Sequence, residues 1–391
     1  MGILFVHDHV FLTQEGNVHS NTFSNNILSR YVDVFSEVTV LARHREVENT
    51  QDTRGMPIAG GPGVNFIFLD SISTLHSYFG LRQRYQTYIA ELLGSYEAVI
   101  VRVPSELGLM TAEIAHRMGK KYIVEVVGCA WDAMWHYGGF QSKVYAPFFY
   151  LKMHNAIKKS GHVSYVTEQF LQKRYPAKQT ATCISVSDVE LPLFDERILA
   201  QRYNKIELMS GKLVFGSIAN MNVQYKGIDV AIKMLAEAML DTADFEYHIL
   251  GAGDPAAYQQ LAEKSGIGNK VFFDGTLSTG KAVLNWMDEI DIYLQPSFQE
   301  GLPRSVIEAM SRGCPVIGSS VGGIPELLDK HMMFSHKQPK RLIDIIRNLV
   351  SNKQGMTEQA KRNFDTARDY QKSRLDEKRS RFWSSFRDES V

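Results

Sequence analysis

Glu300 and Glu308 stand on either side of a segment with the chemistry of a phosphate cradle. The run Pro296-Ser297-Phe298-Gln299-Glu300-Gly301-Leu302 reads as a strand end and a tight loop. A helix follows, with Pro303 at its first position and Gly313 just past its end. Val306, Ile307 and Met310 give that helix a buried face. The unshared N–H groups of Gly301, Leu302 and the next turn suit an anion such as a diphosphate. Carboxylates beside that site would repel phosphate, but they can accept hydrogen bonds from the hydroxyls of a sugar and a ribose joined to it. In the alternative, Glu300 caps the helix dipole and Glu308 pairs with Arg304 on a wet face. Spacing alone leaves the two readings level.

Such loops need elements to hold them. Short β-branched or aromatic runs alternate with longer stretches of helical period, the pattern of parallel α/β layers. In the first half, strands are expected at 3–6, 37–41, 64–69, 98–102, 121–127, 162–166 and 181–185, with helices at 20–31, 81–93 and 106–118. In the second half, strands are expected at 213–217, 246–250, 270–273, 291–294 and 315–318. Helices near 228–240, 255–265, 279–288, 303–312 and 325–329 separate them. Each half reads as its own doubly wound sheet. The segment 188–210 has weak periodicity and divides a domain of residues 1–195 from one of residues 205–369, with a charged terminal helix, 370–391, crossing back to the first. Phe382, Trp383 and Phe386 form an aromatic stripe expected to pack on the body. The stretch 145–152, followed by Lys158 and Lys159, combines aromatics with cations. A core helix with a basic end is the expectation, and a face resting on an anionic membrane the alternative.

The bulk composition bounds the class. A chain of 391 residues exceeds one ordinary core. Lys plus Arg and Asp plus Glu balance at 43 each, so no global field favours nucleic acid, and no nucleic-acid partner is expected. Cys129, Cys183 and Cys314 lie far apart without metal-ligand spacing, which argues against a disulfide scaffold or a structural zinc site. No apolar stretch approaches the roughly 20 residues of a membrane span. The strand-like start Ile3-Leu4-Phe5-Val6 lacks the basic and long apolar regions of a secretory signal. The expected location is cytoplasmic, at most resting on the inner face of a membrane.

Residues 297–328, with the two glutamates separated by seven residues, resemble the donor-site signature of glycosyltransferase family 4. Leu213-Val214-Phe215-Gly216 and Tyr225-Lys226-Gly227 resemble that family's first donor-domain strand and its phosphate-binding lysine. Ile249-Leu250-Gly251-Ala252-Gly253 and Val271-Phe272-Phe273-Asp274-Gly275 resemble its next strand-end loops. The resemblance implies an α/β chain of GT-B fold, two Rossmann-like doubly wound domains facing across a cleft. It implies a retaining, metal-independent hexosyltransferase working from a nucleoside diphosphate sugar, a UDP-sugar being favoured, with no further cofactor. The acceptor would be a glycan or lipid-linked glycan hydroxyl in surface polysaccharide synthesis; peripheral membrane contact is the alternative that the stretch 145–152 leaves open. Glu300 would be the catalytic-site residue, holding donor-sugar hydroxyls, and Glu308 would hold the ribose. Lys226, Ser217 and the backbone of Gly301 and Leu302 would meet the diphosphate, and Gly275 and Leu277 the base.

The first half resembles the family more loosely. Phe5-Val6-His7-Asp8 with Gln14-Glu15-Gly16-Asn17 looks like the first strand and its glycine loop, so Gly16 would meet the diphosphate, a plain turn glycine being the alternative. Two departures stand out. Ser217 occupies a position where many members carry a phosphate-gripping arginine, and Val127-Gly128 stand where a strand-end histidine is often found. Asp132 and His136 follow closely and are candidates for the acceptor side, their ordinary roles being helix capping and surface. The departures keep two rivals open: a sugar-nucleotide-binding or scaffold protein with degraded catalysis, and a nucleotide-sugar epimerase of the same fold.

Overall fold

Strands buried on both faces of a parallel sheet read as unbroken apolar runs, and Ile3-Leu4-Phe5-Val6 is fully buried throughout. In the computed structural model, which describes residues 2–48, 53, 55–69, 75–137, 139–238, 244–277 and 280–390, this run lies inside an eight-stranded sheet. The elements of the first half are β1 (Gly2–Gln14), β2 (Asn17–His19), α1 (Asn25–Phe35), β3 (Glu37–Glu46), β4 (Val64–Leu69), α2 (Leu75–Gly94) and β5 (Ala98–Val103). They continue with α3 (Glu106–Arg117), β6 (Tyr122–Val126), α4 (Ala130–Tyr137), α5 (Phe140–Lys159), β7 (His162–Tyr165), α6 (Phe170–Arg174) and β8 (Thr182–Ser185). The order is β4-β3-β1-β5-β6-β7-β8, all parallel, with β2 folded back antiparallel on the end of β1. β1 runs well beyond the expected residues 3–6. A register shift between Val6 and Val10 lets it pair again with β3 as far as Thr13.

The second half comprises α7 (Glu196–Leu208), β9 (Leu213–Ile218), α8 (Ile228–Ala238), β10 (Phe245–Leu250), α9 (Ala256–Lys264), β11 (Val271–Gly275), α10 (Gly280–Glu289) and β12 (Ile292–Gln295). It continues with α11 (Arg304–Ser311), β13 (Val316–Ser319), α12 (Ile324–Leu327), β14 (Met333–Phe334), α13 (Arg341–Val350), α14 (Lys353–Ala367) and α15 (Lys372–Ser390). The six strands are parallel in the order β11-β10-β9-β12-β13-β14. α8 buries Ile228, Ala231, Ile232 and Leu235, the spacing of one helical face.

By contacts the chain divides into two units. One is Met1–Trp131 with Tyr145–Val186 and Asp376–Val391; the other is Asp132–Val144 with Ser187–Leu375. This differs from the division at 1–195 and 205–369: Asp132–Val144 joins the second unit, and the changeover follows Val186. α15 buries Phe382, Trp383 and Phe386 in the first unit's core, with the Trp383 and Tyr31 rings 4.5 Å apart. The expected helix at 20–31 begins later, at Asn25, because the Ser20 hydroxyl accepts from the N–H groups of Thr22 and Phe23 and holds a turn. The segment read as aperiodic contains α7, capped by Asp195. The expected helix ends at 239–240, 279 and 391 lie outside the described residues.

Candidate functional site

In the second sheet the strand order reverses between β9 and β12, and in doubly wound sheets ligands settle beyond the carboxyl ends of such a pair. Lys226 follows β9 and Glu300 follows β12. Two glycines allow the loops to close on each other. Gly227 has φ +70°, and a Cβ there would stand 2.0 Å from the Pro296 carbonyl oxygen. Gly322 has φ +60°, and its Cβ would meet the Glu300 carbonyl oxygen at 2.1 Å. The Phe298 N–H donates to the Tyr225 carbonyl at 2.7 Å, fixing one loop to the other. The outcome is an ion pair: Lys226 Nζ lies 2.8 Å from Glu300 Oε1. Burial alone would lower the lysine pKa, but attraction to Glu300 and the hydrogen bond override it and hold Lys226 above its ordinary value, hence charged.

Glu300 is aimed by a buried polar chain. Tyr293 and Ser305 donate to Gln295 Oε1, each at 3.2 Å. That orients Gln295 Nε2 to donate to Glu300 Oε1 at 2.8 Å and to Ser297 Oγ at 2.9 Å. Burial pushes the Tyr293 phenol well up, so it stays a donor. Glu300 Oε1 is thus doubly engaged, while Oε2 has no partner among the described residues. Nor do the N–H groups of Gly301 and Leu302 donate to any described acceptor. Sequence reasoning missed Gln295, although a glutamine closing the apolar run Ile292-Tyr293-Leu294 was a visible signal.

Glu308 is on the second turn of α11, and its carboxylate has no hydrogen bond or ion pair with any described residue. Burial raises its pKa, with the Arg304 charge pulling the other way. Arg304 is exposed at the start of the same helix and pairs with nothing described, so the Arg304–Glu308 pair of the alternative reading does not form. The field of Arg304 also acts against Lys226. Beside the Lys226–Glu300 pair, a second cation with no partner among the described residues therefore stands in the site, one that sequence reasoning had considered only as a partner for Glu308.

Ser217 corrects an expectation. Its hydroxyl donates to the Leu294 carbonyl at 2.8 Å and accepts from Tyr247 at 2.8 Å, inside the sheet. The side chain is buried and its only proton is spent, so it offers no hydrogen bond to a diphosphate in this structure. Gly275 ends β11, and its carbonyl accepts from the Gly251 N–H at 2.6 Å. Leu277, two residues on, is exposed. α4 carries Asp132 and His136, and the His136 ring stands 6.2 Å from that of Phe298. Burial, opposed by Asp132 and aided by His336 and Lys143, lowers the His136 pKa. His336 stacks on Phe298 at 3.8 Å, and its Nε2 donates to the Ser297 carbonyl at 2.9 Å. The loop bearing Glu300 is thus clamped from a segment no motif marked. Gly16 belongs to the first unit, where it forms with Glu15 the turn between β1 and β2. Among the described residues no group of three or more His, Cys, Asp or Glu is placed to hold a metal ion.

Two parallel doubly wound units, one with a cation, free N–H groups and two carboxylates at its switch point, define a glycosyltransferase of GT-B fold. Residues 212–352 match the family described as Glycosyl transferases group 1. Over 357 residues the chain is 30% identical to Protein CapJ of Staphylococcus aureus, covering 90% of this chain and 88% of that protein. The chain belongs to the group 1 glycosyl transferases. The amylovoran biosynthesis glycosyltransferase AmsK of Erwinia amylovora is 33% identical over 123 residues, 30% of either chain. Anabaena Alr3699/HepE, solved in complex with UDP, superposes with a TM-score of 0.68 at 14% identity, covering 98% of this chain and all of that one.

Proposed function

We propose that the protein transfers a hexose-type sugar, with retention of configuration, from a UDP-sugar to a hydroxyl of a glycan or lipid-linked glycan in surface polysaccharide synthesis. The observation that carries this reading is the set of unsatisfied groups around one strand-end loop. Among the described residues the N–H groups of Gly301 and Leu302 and Glu300 Oε2 have no partner, nor has the partly buried Glu308 carboxylate. Buried polar groups ordinarily find partners, and a nucleoside diphosphate sugar supplies them in the right order. Its ribose hydroxyls donate to Glu308, its phosphate oxygens accept from the loop, and its sugar hydroxyls donate to Glu300. Lys226 spends one of three N–H donors on Glu300 and keeps two for phosphate. Arg304 provides the charge that Ser217 does not. These fixed charges and dipoles stabilise the departing diphosphate, which is electrostatic catalysis. They supply locally the positive charge that a divalent cation supplies elsewhere, so we read the reaction as metal-independent.

The name of AmsK, an amylovoran biosynthesis glycosyltransferase, supports the polysaccharide setting, the UDP bound to HepE supports the base, and the resemblance to family 4 supports retention. The test is incubation with a panel of nucleoside diphosphate sugars, with and without chelator, following release of the nucleoside diphosphate by chromatography. Glu300→Gln should bind UDP as the parent does and lose turnover of the intact donor. A panel returned unchanged, or converted to epimeric sugar nucleotides, would overturn the transferase reading. Activity lost with chelator and restored by Mg²⁺ would overturn metal independence alone.

A further inference from the structure

Helix α5 has two apolar faces, and only one is covered. Ala146, Phe149, Met153, Ala156 and Ile157 are buried in the body. Phe140, Val144, Phe148 and Leu151 are exposed by 82%, 55%, 60% and 55%. At about 100° per residue these four occupy a stripe about 80° wide, centred nearly opposite the buried face. Most of the core helix expected at 145–152 is therefore present, but Phe148 and Leu151 point away from the core. A surface helix normally turns a polar face outward, so an exposed apolar stripe this long needs an occupant.

The charges around the stripe identify it. Between Asp132 and Glu168 the chain contains no acidic residue, while α5 carries Lys143, Lys152, Lys158 and Lys159. By the same geometry Lys143 flanks the stripe on one side and Lys152 and Lys159 on the other, with Lys158 at its end. Lys152 is shared with Glu106 at 3.2 Å, but Lys158 and Lys159 have no hydrogen bond or ion pair among the described residues. Apolar side chains bordered by lysines make a helix that lies in the boundary of an anionic bilayer, its rings among the acyl chains and its ammonium groups among the phosphates. A second copy of the chain would set four lysines against four, which the charge pattern opposes. No described helix is long and apolar enough to cross a membrane, so the contact is a surface one.

We infer that the outer face of α5 docks the protein on an anionic lipid surface. The purpose, meeting a lipid-linked acceptor, rests on the proposed transfer reaction; the docking itself does not. Flotation of the full chain with vesicles of phosphatidylglycerol in phosphatidylcholine, against phosphatidylcholine alone, tests it. Binding is expected only to the anionic vesicles and should weaken with added salt. Lys158→Glu with Lys159→Glu should reduce it by at least about fivefold per lysine. Phe148→Ser with Leu151→Ser should reduce it roughly tenfold or more. All these side chains are exposed, and UDP titration calorimetry on each variant reports the fold and the donor site separately. Failure to bind either vesicle, or equal binding to both, overturns the inference. So does a dimer in sedimentation that the Phe148 and Leu151 changes dissolve, since the face would then belong to a second copy. Vesicle binding without UDP binding would sink the donor reading and leave the docking surface standing.

Discussion

Glu308 offers a test in which binding and stability must move in opposite directions. Its carboxylate is held in α11 with no described partner, and burial raises its pKa. If both oxygens accept ribose hydroxyls, Glu308→Ala removes two charge-assisted hydrogen bonds. That costs about 3 kcal/mol of UDP binding, or about 150-fold in Kd. Glu308→Gln keeps one acceptor oxygen and should lose about 1.5 kcal/mol, roughly tenfold. In the free protein the sign reverses. A carboxyl whose folded pKa lies above its ordinary 4.5 is favourable below that value, and the benefit is lost as pH rises through the folded pKa. Glu308→Gln should therefore stabilise the unliganded protein by of order 1 kcal/mol at pH 7, a gain that fades near pH 4. Calorimetry with UDP and urea unfolding at the two pH values measure both arms. Unchanged UDP affinity in Glu308→Ala would refute the ribose contact. A Gln variant less stable than its parent at pH 7 would show that the carboxylate is satisfied without ligand.

Lys226→Ala should weaken UDP binding by about 1.5–3 kcal/mol, the scale of a charge-assisted bond; unaltered calorimetry would remove Lys226 from the phosphate site. Gly227→Ala sets a Cβ against the Pro296 carbonyl at positive φ and should cost about 2–4 kcal/mol in chemical unfolding, an unchanged midpoint contradicting the close approach. Burial, helped by Arg102, lowers His9 to about 4, so the folded state resists its protonation. Its stabilising share is complete above its ordinary value near 6.5 and lost as pH falls through about 4. His9→Gln should cancel about 2 kcal/mol of the stability loss between pH 7 and pH 5, and parallel pH curves for parent and variant would refute this.

The alternation of strand and helix was readable because buried parallel strands leave unbroken apolar runs, and Ile292-Tyr293-Leu294 could hardly be anything else. α7 was not readable, for a reason visible in the structure. Its inward face carries Arg202, buried by donating to the carbonyls of Met287, Ile290 and Arg312 at 2.6–3.1 Å. Lys205 meets those of Asp288 and Glu289 at the same helix end. Cations that serve the carbonyl end of α10 look, in sequence, like a solvated surface. In the site, the motif marked Lys226, Glu300 and Glu308 from local sequence, and the structure brings the first two together at the ends of β9 and β12. Gln295, Tyr293 and His336 act through contacts that only folding creates. Ser217 failed as an expectation because strand pleat decides which way a side chain points, and here it points at Tyr247 and Leu294.

The course of α15 has a consequence for biosynthesis. The first unit is not contiguous: Phe382, Trp383 and Phe386 lie in one cluster with Tyr31, Val34 and Phe35, whose codons are translated some 350 positions earlier. Ser187–Leu375 leaves the ribosome before that cluster can close, so the second unit has most of its chain while the first still shows a bare aromatic face on α1. A nascent chain in that condition is a natural client for a holding chaperone. Completion of the first core therefore waits until residues 382–386 have been translated. A ribosome stalled after Leu375 should hold a first unit that protease opens readily beside a second that it does not, and equal resistance of the two would contradict this order.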